Sequence, residues 1–387
     1  MWINNQKILR LMFYYFKILG FFPYVYDRSE VIKKSKKTII YTIILMLGYS
    51  VNFVNILISR SSFVRPQETI FSATVDFAIL GLEYISILII WIYSITRCSQ
   101  LQCIVKLFIK SIEYTSVTMK IELANIYDDI LRQMWMVILF FNVLFLTVMS
   151  ADHVLFYLEN KDYDNVTWIV FNYPRVIAFN YVMVYIYFLK ILKRQFYFMN
   201  KNISYLPEVY TDKNSFSIEV ITIREFNQLY LDLKDLIIMS DELLALPILT
   251  ALLLQFLNII LYIYLLLIFI LSKNYYWSGL ITIGWILMRI SQLFFSVDTC
   301  NSICYEANRK AKILHELWAL KRPDGFKEML KSISLHQLQE PVEIKLYDAL
   351  NMNHELLYKM VGIITTYLII MIQLDQQVQD KEKHKTH

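Results

Sequence analysis

Four ionisable side chains fall inside stretches that are otherwise apolar: Asp76, Glu83, Arg175 and Arg289. A charge at the centre of a membrane helix costs about 3 kcal/mol or more, so each needs a partner, water or a ligand. Asp76 and Glu83 stand seven residues apart, two helical turns, and therefore share a face. Two readings follow. The four charges pair as buried salt bridges that hold the protein together, or some of them fix a polar ligand while aromatic neighbours supply contact area. Tyr173, Tyr181, Tyr262, Trp285 and Gln292 are candidate wall residues for such a pocket, and each would serve equally in plain packing.

A second set lies near the end of the chain, in the string TTYLIIMIQLDQ over residues 365–376. At about 100° per residue, with Thr366 at zero, Gly362 falls at about 320°, Ile369 at about 300°, Ile370 at about 40° and Gln373 at about 340°. Glu355 and Lys359 extend the same face at about 340° and 20°, and Leu374 sits at its shoulder. Such a stripe suits either helix packing through small and polar residues or the wall of an aqueous pore. One helix makes no pore, so a pore would need several copies of the chain.

The elements that must position these residues are membrane helices. The 387-residue chain is 57% hydrophobic and 18% charged, with 25 Phe and 28 Tyr against 7 Gly and 7 Pro. Apolar stretches of about 20 residues recur, the length that crosses a hydrocarbon core of roughly 30 Å. They predict seven spans at about 38–59, 69–96, 131–151, 168–190, 243–271, 278–297 and 353–374. The first span has no small-residue cleavage site after it and reads as an uncleaved anchor. Tyr275, Tyr276 and Trp277 suit an aromatic belt at the tight turn between the fifth and sixth spans.

The segments 1–37, 97–132, 190–242 and 298–352 hold 28 Lys and Arg, against seven on the other side of the membrane. The positive-inside rule then puts the N-terminus in the cytoplasm and, with an odd number of spans, the C-terminus outside. That is the reverse of a G-protein-coupled receptor. It also exposes the sequon at Asn165 to glycosylation and keeps the one at Asn202 inside. Cys98, Cys103, Cys300 and Cys304 all fall at cytoplasmic span ends, where disulfides are not expected; small apolar packing is the plainer role.

Residues 101–130, 218–242 and 302–338 carry apolar residues at three-to-four spacing among charges, so helices should run on into the cytoplasm and bundle there. Pro323 with Gly325, and then Pro341, should interrupt them. The division expected is a cytoplasmic segment 1–37, spans one to six with a ligand pocket over 38–297, anchor helices over 298–352, a last helix over 353–374 and an outer tail over 375–387. No internal repeat supports an inverted-repeat transporter, and the six His form no metal-spaced or catalytic set, so no enzyme is expected.

Thr366-Tyr367, five hydrophobic residues and Gln373 resemble the "TY, five hydrophobics, Q" signature of insect gustatory receptors. The segment SLHQLQEPVEIKLYDALNMNHELLYKMVGIITTYLIIMIQ is similar to that family's C-terminal pattern, and length, span count and orientation agree. The resemblance implies an all-α, seven-span, ligand-gated non-selective cation channel in the plasma membrane of sensory neurons. It implies a homotetramer with the last helix lining a central pore and a cytoplasmic anchor domain joining subunits. Small-molecule tastants, membrane lipid and monovalent and divalent cations would be its partners, with no cofactor, metal or nucleic acid.

By motif, Gln373 and Leu374 would form the outer gate, with Thr366 and Ile370 deeper on the pore wall and Tyr367 against a neighbouring subunit. Leu374 departs from the Phe usual in the family. A ring of Asp375 just outside could attract cations. The family's pocket lies among spans two to six, which makes Asp76, Glu83, Tyr173, Arg175, Tyr262, Trp285, Arg289 and Gln292 the candidate ligand residues. Leu368 stands where sugar receptors of the family commonly carry an acid, which points to a bitter plant compound or a fructose-type ligand. An odorant-receptor-type channel subunit is the nearest alternative.

Overall fold

The structure of the protein, a computed structural model, describes residues 14–21, 24–26, 32–60, 70–119, 123–159, 165–209, 216–272, 276–320, 323–347 and 350–385, apart from some side chains near helix ends. A helical turn over 14–18 (α1) and a short hairpin of β1 (Tyr24–Tyr26) and β2 (Ile32–Lys34) lead into α2 (Lys36–Arg60). There follow α3 (Ile70–Thr96), α4 (Cys98–Met119), α5 (Leu123–Glu159), α6 (Asn165–Val209), α7 (Phe216–Ser272) and α8 (Tyr276–Trp318). The chain closes with α9 (Asp324–Gln339), a hairpin of β3 (Lys345–Leu346) and β4 (Leu350–Asn351), and α10 (His354–Lys385).

Six of these helices contain stretches long and apolar enough to cross a membrane: α2, α5, α6, α7, α8 and α10. A seventh crossing is the expected second span: Leu80–Thr96 passes together with Cys98–Thr115, across a 72° bend. The helical extension expected over 101–130 thus begins at a bend and not in line with the span. No Gly or Pro marks it; Arg97 closes the corner by donating from Nη1 to Gln100 Oε1 at 3.0 Å.

The other extensions are continuous. α7 runs 57 residues, about 85 Å at 1.5 Å each, straight through Pro247. A proline there removes one backbone donor, and Thr250 Oγ donates to the Pro247 carbonyl at 3.0 Å. α8 ends before Pro323, whose φ of −56° and ψ of 146° start α9, and α9 stops before Pro341. Both prolines therefore act where the sequence places them.

α6 is the central helix and touches α2, α3, α4, α5, α7 and α8. Its buried face, including Ile177, Val182, Ile186, Leu192, Phe196 and Met199, forms the middle of one core that continues into α7 and α8. Burying one large aliphatic or aromatic side chain is worth about 1.5–3 kcal/mol in water, but between lipid-facing helices packing and polar cross-links decide register. Those cross-links are explicit. Asn180 exchanges hydrogen bonds with Asn142 at 3.2 Å and accepts from Tyr15 at 3.0 Å, tying α6 to α5 and α1. Asn200 donates to the Glu306 carbonyl at 2.7 Å, and Lys310 donates to Asn227 at 3.0 Å. Tyr185 donates to Asp241 at 2.5 Å, and Lys193 donates to Ser302.

Asn308 fixes the segment after α9. Its Nδ2 donates to the Val342 carbonyl at 3.0 Å, while its Oδ1 accepts from the Val342 N–H at 2.8 Å. The β3–β4 hairpin, with Leu346 opposite Leu350, then turns the chain into α10. Tyr347 in that turn takes a φ of 55°.

Gly20 has a comparable task at the other end of the chain. Its φ of +82° is left-handed, and a Cβ there would stand 2.8 Å from Trp91 Nε1. The bare backbone lets the indole reach the Leu19 carbonyl, to which it donates at 3.1 Å.

A charged cluster between α3, α6, α7 and α8, and an unpartnered helix

Glu83 on α3 and Arg175 on α6 meet inside the bundle. Arg175 Nε donates to both carboxylate oxygens of Glu83, at 2.9 and 3.2 Å. Asn258 of α7 donates through Nδ2 to Glu83 Oε1 at 3.1 Å, and Arg175 Nη1 reaches Asn172 Oδ1 at 3.4 Å. The Glu83 side chain is only 4% exposed, so its charge is answered by these donors and hardly by water.

Trp285 of α8 forms the aromatic side of the cluster. Arg175 lies 5.5 Å and Arg289 5.9 Å from its ring centroid, both in cation–π range. Tyr262 stacks on the same indole at 5.9 Å, and Phe145 of α5 meets it edge-on at 5.2 Å. A cavity of about 20 Å3 opens between these helices, lined by Glu83, Ser86, Arg175, Gln255, Asn258 and Arg289 among others. That is room for about one water molecule.

Of the expected ligand residues, the structure thus gathers Glu83, Arg175, Tyr262, Trp285 and Arg289. Gln292 is buried one helical turn beyond Arg289. Tyr173 packs elsewhere, against Tyr49 at 5.7 Å and Trp91 at 6.2 Å, and Tyr181 sits edge-on to Phe21. Asp76 lies in α3, but its side chain is outside the described residues, as are those of Asn165 and Asp375. The sequence reading missed Ser86, Asn172, Gln255 and Asn258. Gln255 and Asn258 carried a signal, being two amides three residues apart in an otherwise apolar run of α7.

The last helix differs from every other long helix in what it leaves uncovered. α10 buries Leu356 and Met360 and half-buries Ile364, Leu368 and Met371, one face resting on α7, α8 and α3. Leu261 and Tyr264 of α7 receive its middle part. Of its most apolar 18-residue stretch, 11% is buried within the chain, against 22% for α2 and α5 and 61% for α6.

The polar stripe faces away from the chain's own core. Glu355, Lys359, Gly362, Thr366, Ile369, Ile370, Gln373 and Leu374 are all exposed, and so is Tyr367. Thr366 returns its hydroxyl proton to the Gly362 carbonyl at 3.0 Å, and Lys359 pairs with Glu355 at 2.7 Å. The stripe is therefore not a packing face within the described chain. Cys98, Cys103, Cys300 and Cys304 are not in disulfides, and Cys98 and Cys300 are buried.

Long helices that cross and overshoot a membrane around a buried charged cluster define a multi-pass helical receptor architecture. The profile of the 7tm chemosensory receptor family matches residues 9–378, and the chain belongs to that family. It is a receptor family, not an enzyme family. Among solved structures, the insect olfactory receptor OR5 from Machilis hrabei in complex with eugenol superposes with a TM-score of 0.63 at 11% identity, over 96% of this chain and 99% of that one. A second structure of the same receptor gives 0.62 at 12% identity and the same coverage. At such identity the likeness is one of fold. No curated protein matches the sequence.

Proposed function

We propose that this chemosensory receptor is of the gustatory type and works as a tastant-gated, non-selective cation channel. Four copies would surround an axis with α10 as the pore wall. The observation that carries this reading is the direction of the α10 stripe: Gly362, Thr366, Ile370 and Gln373 share a face that the chain's own core leaves open. An amide and hydroxyls held out from the core into lipid would be costly, and copies of themselves plus water around an axis remove that cost. Gln373 and Leu374 form the gate, Thr366 and Ile370 the wall below it, and Asp375 a cation-attracting ring outside. Tyr367 packs on the neighbouring subunit.

The charge asymmetry supports a cytoplasmic N-terminus, an extracellular α10 end and plasma-membrane residence, with α9 and the inner ends of α6, α7 and α8 as the anchor. The Thr366-Tyr367…Gln373 string favours the gustatory over the odorant type. Ligand enters the cluster of Glu83, Arg175, Tyr262, Trp285, Arg289 and Gln292, and its occupancy shifts α7 and α8, which bear on α10. Four sites coupled at about 1–1.5 kcal/mol each bias opening by about 4–6 kcal/mol.

The test is to express the chain alone and record currents against sugars and plant compounds, then to repeat with Gln373→Ala. Altered selectivity and basal leak in the variant support the gate. Unchanged values in a conducting variant overturn it.

A further inference from the structure

Among the described residues, Arg289 is the charge of the cluster whose side-chain donors stay open, with Glu83 acting on it only through space. Arg289 is 3% exposed, and among the described residues neither its Nε nor its Nη2 has a hydrogen-bond partner. Glu83 is already engaged by Arg175 and Asn258, and the carboxylate of Asp152 lies near enough to Arg175 to act on its charge. The Tyr262 hydroxyl lies close enough to Arg289 to act on its charge but closes no well-formed hydrogen bond with its Nε or Nη2. Trp285 attracts the guanidinium through its ring face, which satisfies none of the N–H donors.

The other groups around the cavity have a matching surplus of acceptors. Asn258 is oriented by its Nδ2 bond to Glu83, which leaves Oδ1 unpartnered, and Gln255 Oε1 is unpartnered as well. Ser86 Oγ, 2% exposed, completes a wall of groups that ask for hydrogen bonds. A buried guanidinium with free donors is paired most strongly by a carboxylate, through two parallel charge-assisted bonds. Buried amide oxygens are paired by hydroxyl donors. Both demands meet in one class of molecule.

Resting on the ligand site proposed above, we propose that the ligand is a small hydroxylated organic acid, its carboxylate anchored by Arg289 and its hydroxyls donating to Gln255 and Asn258. Ala178 and Ala251 border the cavity, which has to widen by helix movement to admit such an acid. The site selects for the anion because an ester of the same acid offers Arg289 a weaker, uncharged acceptor.

The experiment uses the purified full-length receptor in detergent, with thermal stabilisation as a binding readout independent of conduction. The probes are quinate, shikimate and gallate at neutral pH, each beside its methyl ester. The expected result is that at least one acid stabilises the receptor at concentrations about tenfold or more below its ester. Arg289→Lys should keep part of that preference and Arg289→Gln should abolish it. Equal titration by acid and ester, an acid preference that survives Arg289→Gln, or no stabilisation by any of the three acids overturns the inference, and the acid–ester comparison needs no variant to fold. Currents evoked by a neutral sugar or an alkaloid with no acid binding would sink this assignment and leave the channel standing. Acid binding without current in any condition would do the reverse.

Discussion

Arg175 reaches across from α6 to hold both carboxylate oxygens of Glu83 on α3, at 2.9 and 3.2 Å, while Asn258 of α7 holds one of them from the other side. Three helices are registered by a single buried carboxylate. Removing either charge strands the other, whereas removing both leaves neither member of the pair behind.

Glu83→Ala or Arg175→Ala should therefore each cost about 3–5 kcal/mol, and a double Glu83→Gln, Arg175→Met replacement should recover most of it. Melting of the detergent-solubilised protein measures the difference. A double variant no more stable than the singles would mean that the pair is not what the helices depend on.

Gly20→Ala should loosen the N-terminal turn. The left-handed φ of +82° costs an alanine about 1–2 kcal/mol, and the added Cβ meets an indole held in place by its bond to Leu19. Faster limited proteolysis before α2, with the rest of the bundle unchanged, is the expected signature.

Asn308→Leu removes a donor and an acceptor at once and leaves the N–H and carbonyl of Val342 without their partners. The cost is about 1–3 kcal/mol, concentrated in the segment between α9 and β3. Hydrogen exchange over residues 340–346 should accelerate while α6 stays protected. Exchange that rises evenly across the protein would show the clamp to be global rather than local.

Along α10, single cysteines at 362, 366, 370 and 373 should react with an external, membrane-impermeant thiol reagent in the open channel. Cysteines at 360, 364 and 368 should not, because those positions rest on the helices behind. Uniform reactivity around the helix would remove α10 from the pore wall.

Much of this architecture is readable from hydropathy alone, since about 20 apolar residues in a row admit few alternatives. The prolines at 323 and 341 mark the ends of α8 and α9 because they cannot continue a helix. The bend at Arg97 left no such mark, and it is set by how α4 packs against α7 and the β1–β2 hairpin. At the cluster, intramembrane charges were conspicuous because each is costly. Their pairing was not: period and depth place Glu83, Arg175 and Arg289 alike, and only three-dimensional packing gives Glu83 to Arg175. Tyr173 illustrates the same limit, since a tyrosine two residues before Arg175 in sequence points along a different face of α6, toward Tyr49 and Trp91. Neutral polar residues such as Ser86 and Gln255 look like ordinary helix contacts until they are seen without partners.

The cavity beside Glu83 and Arg289 holds about 20 Å3, far less than any tastant. Whatever binds there has to do work on the helices before it collects its own contacts, and the apparent affinity falls by the fraction of time the site stands open. On the proposed reading, closed resting walls raise the concentration of ligand needed to keep the site occupied.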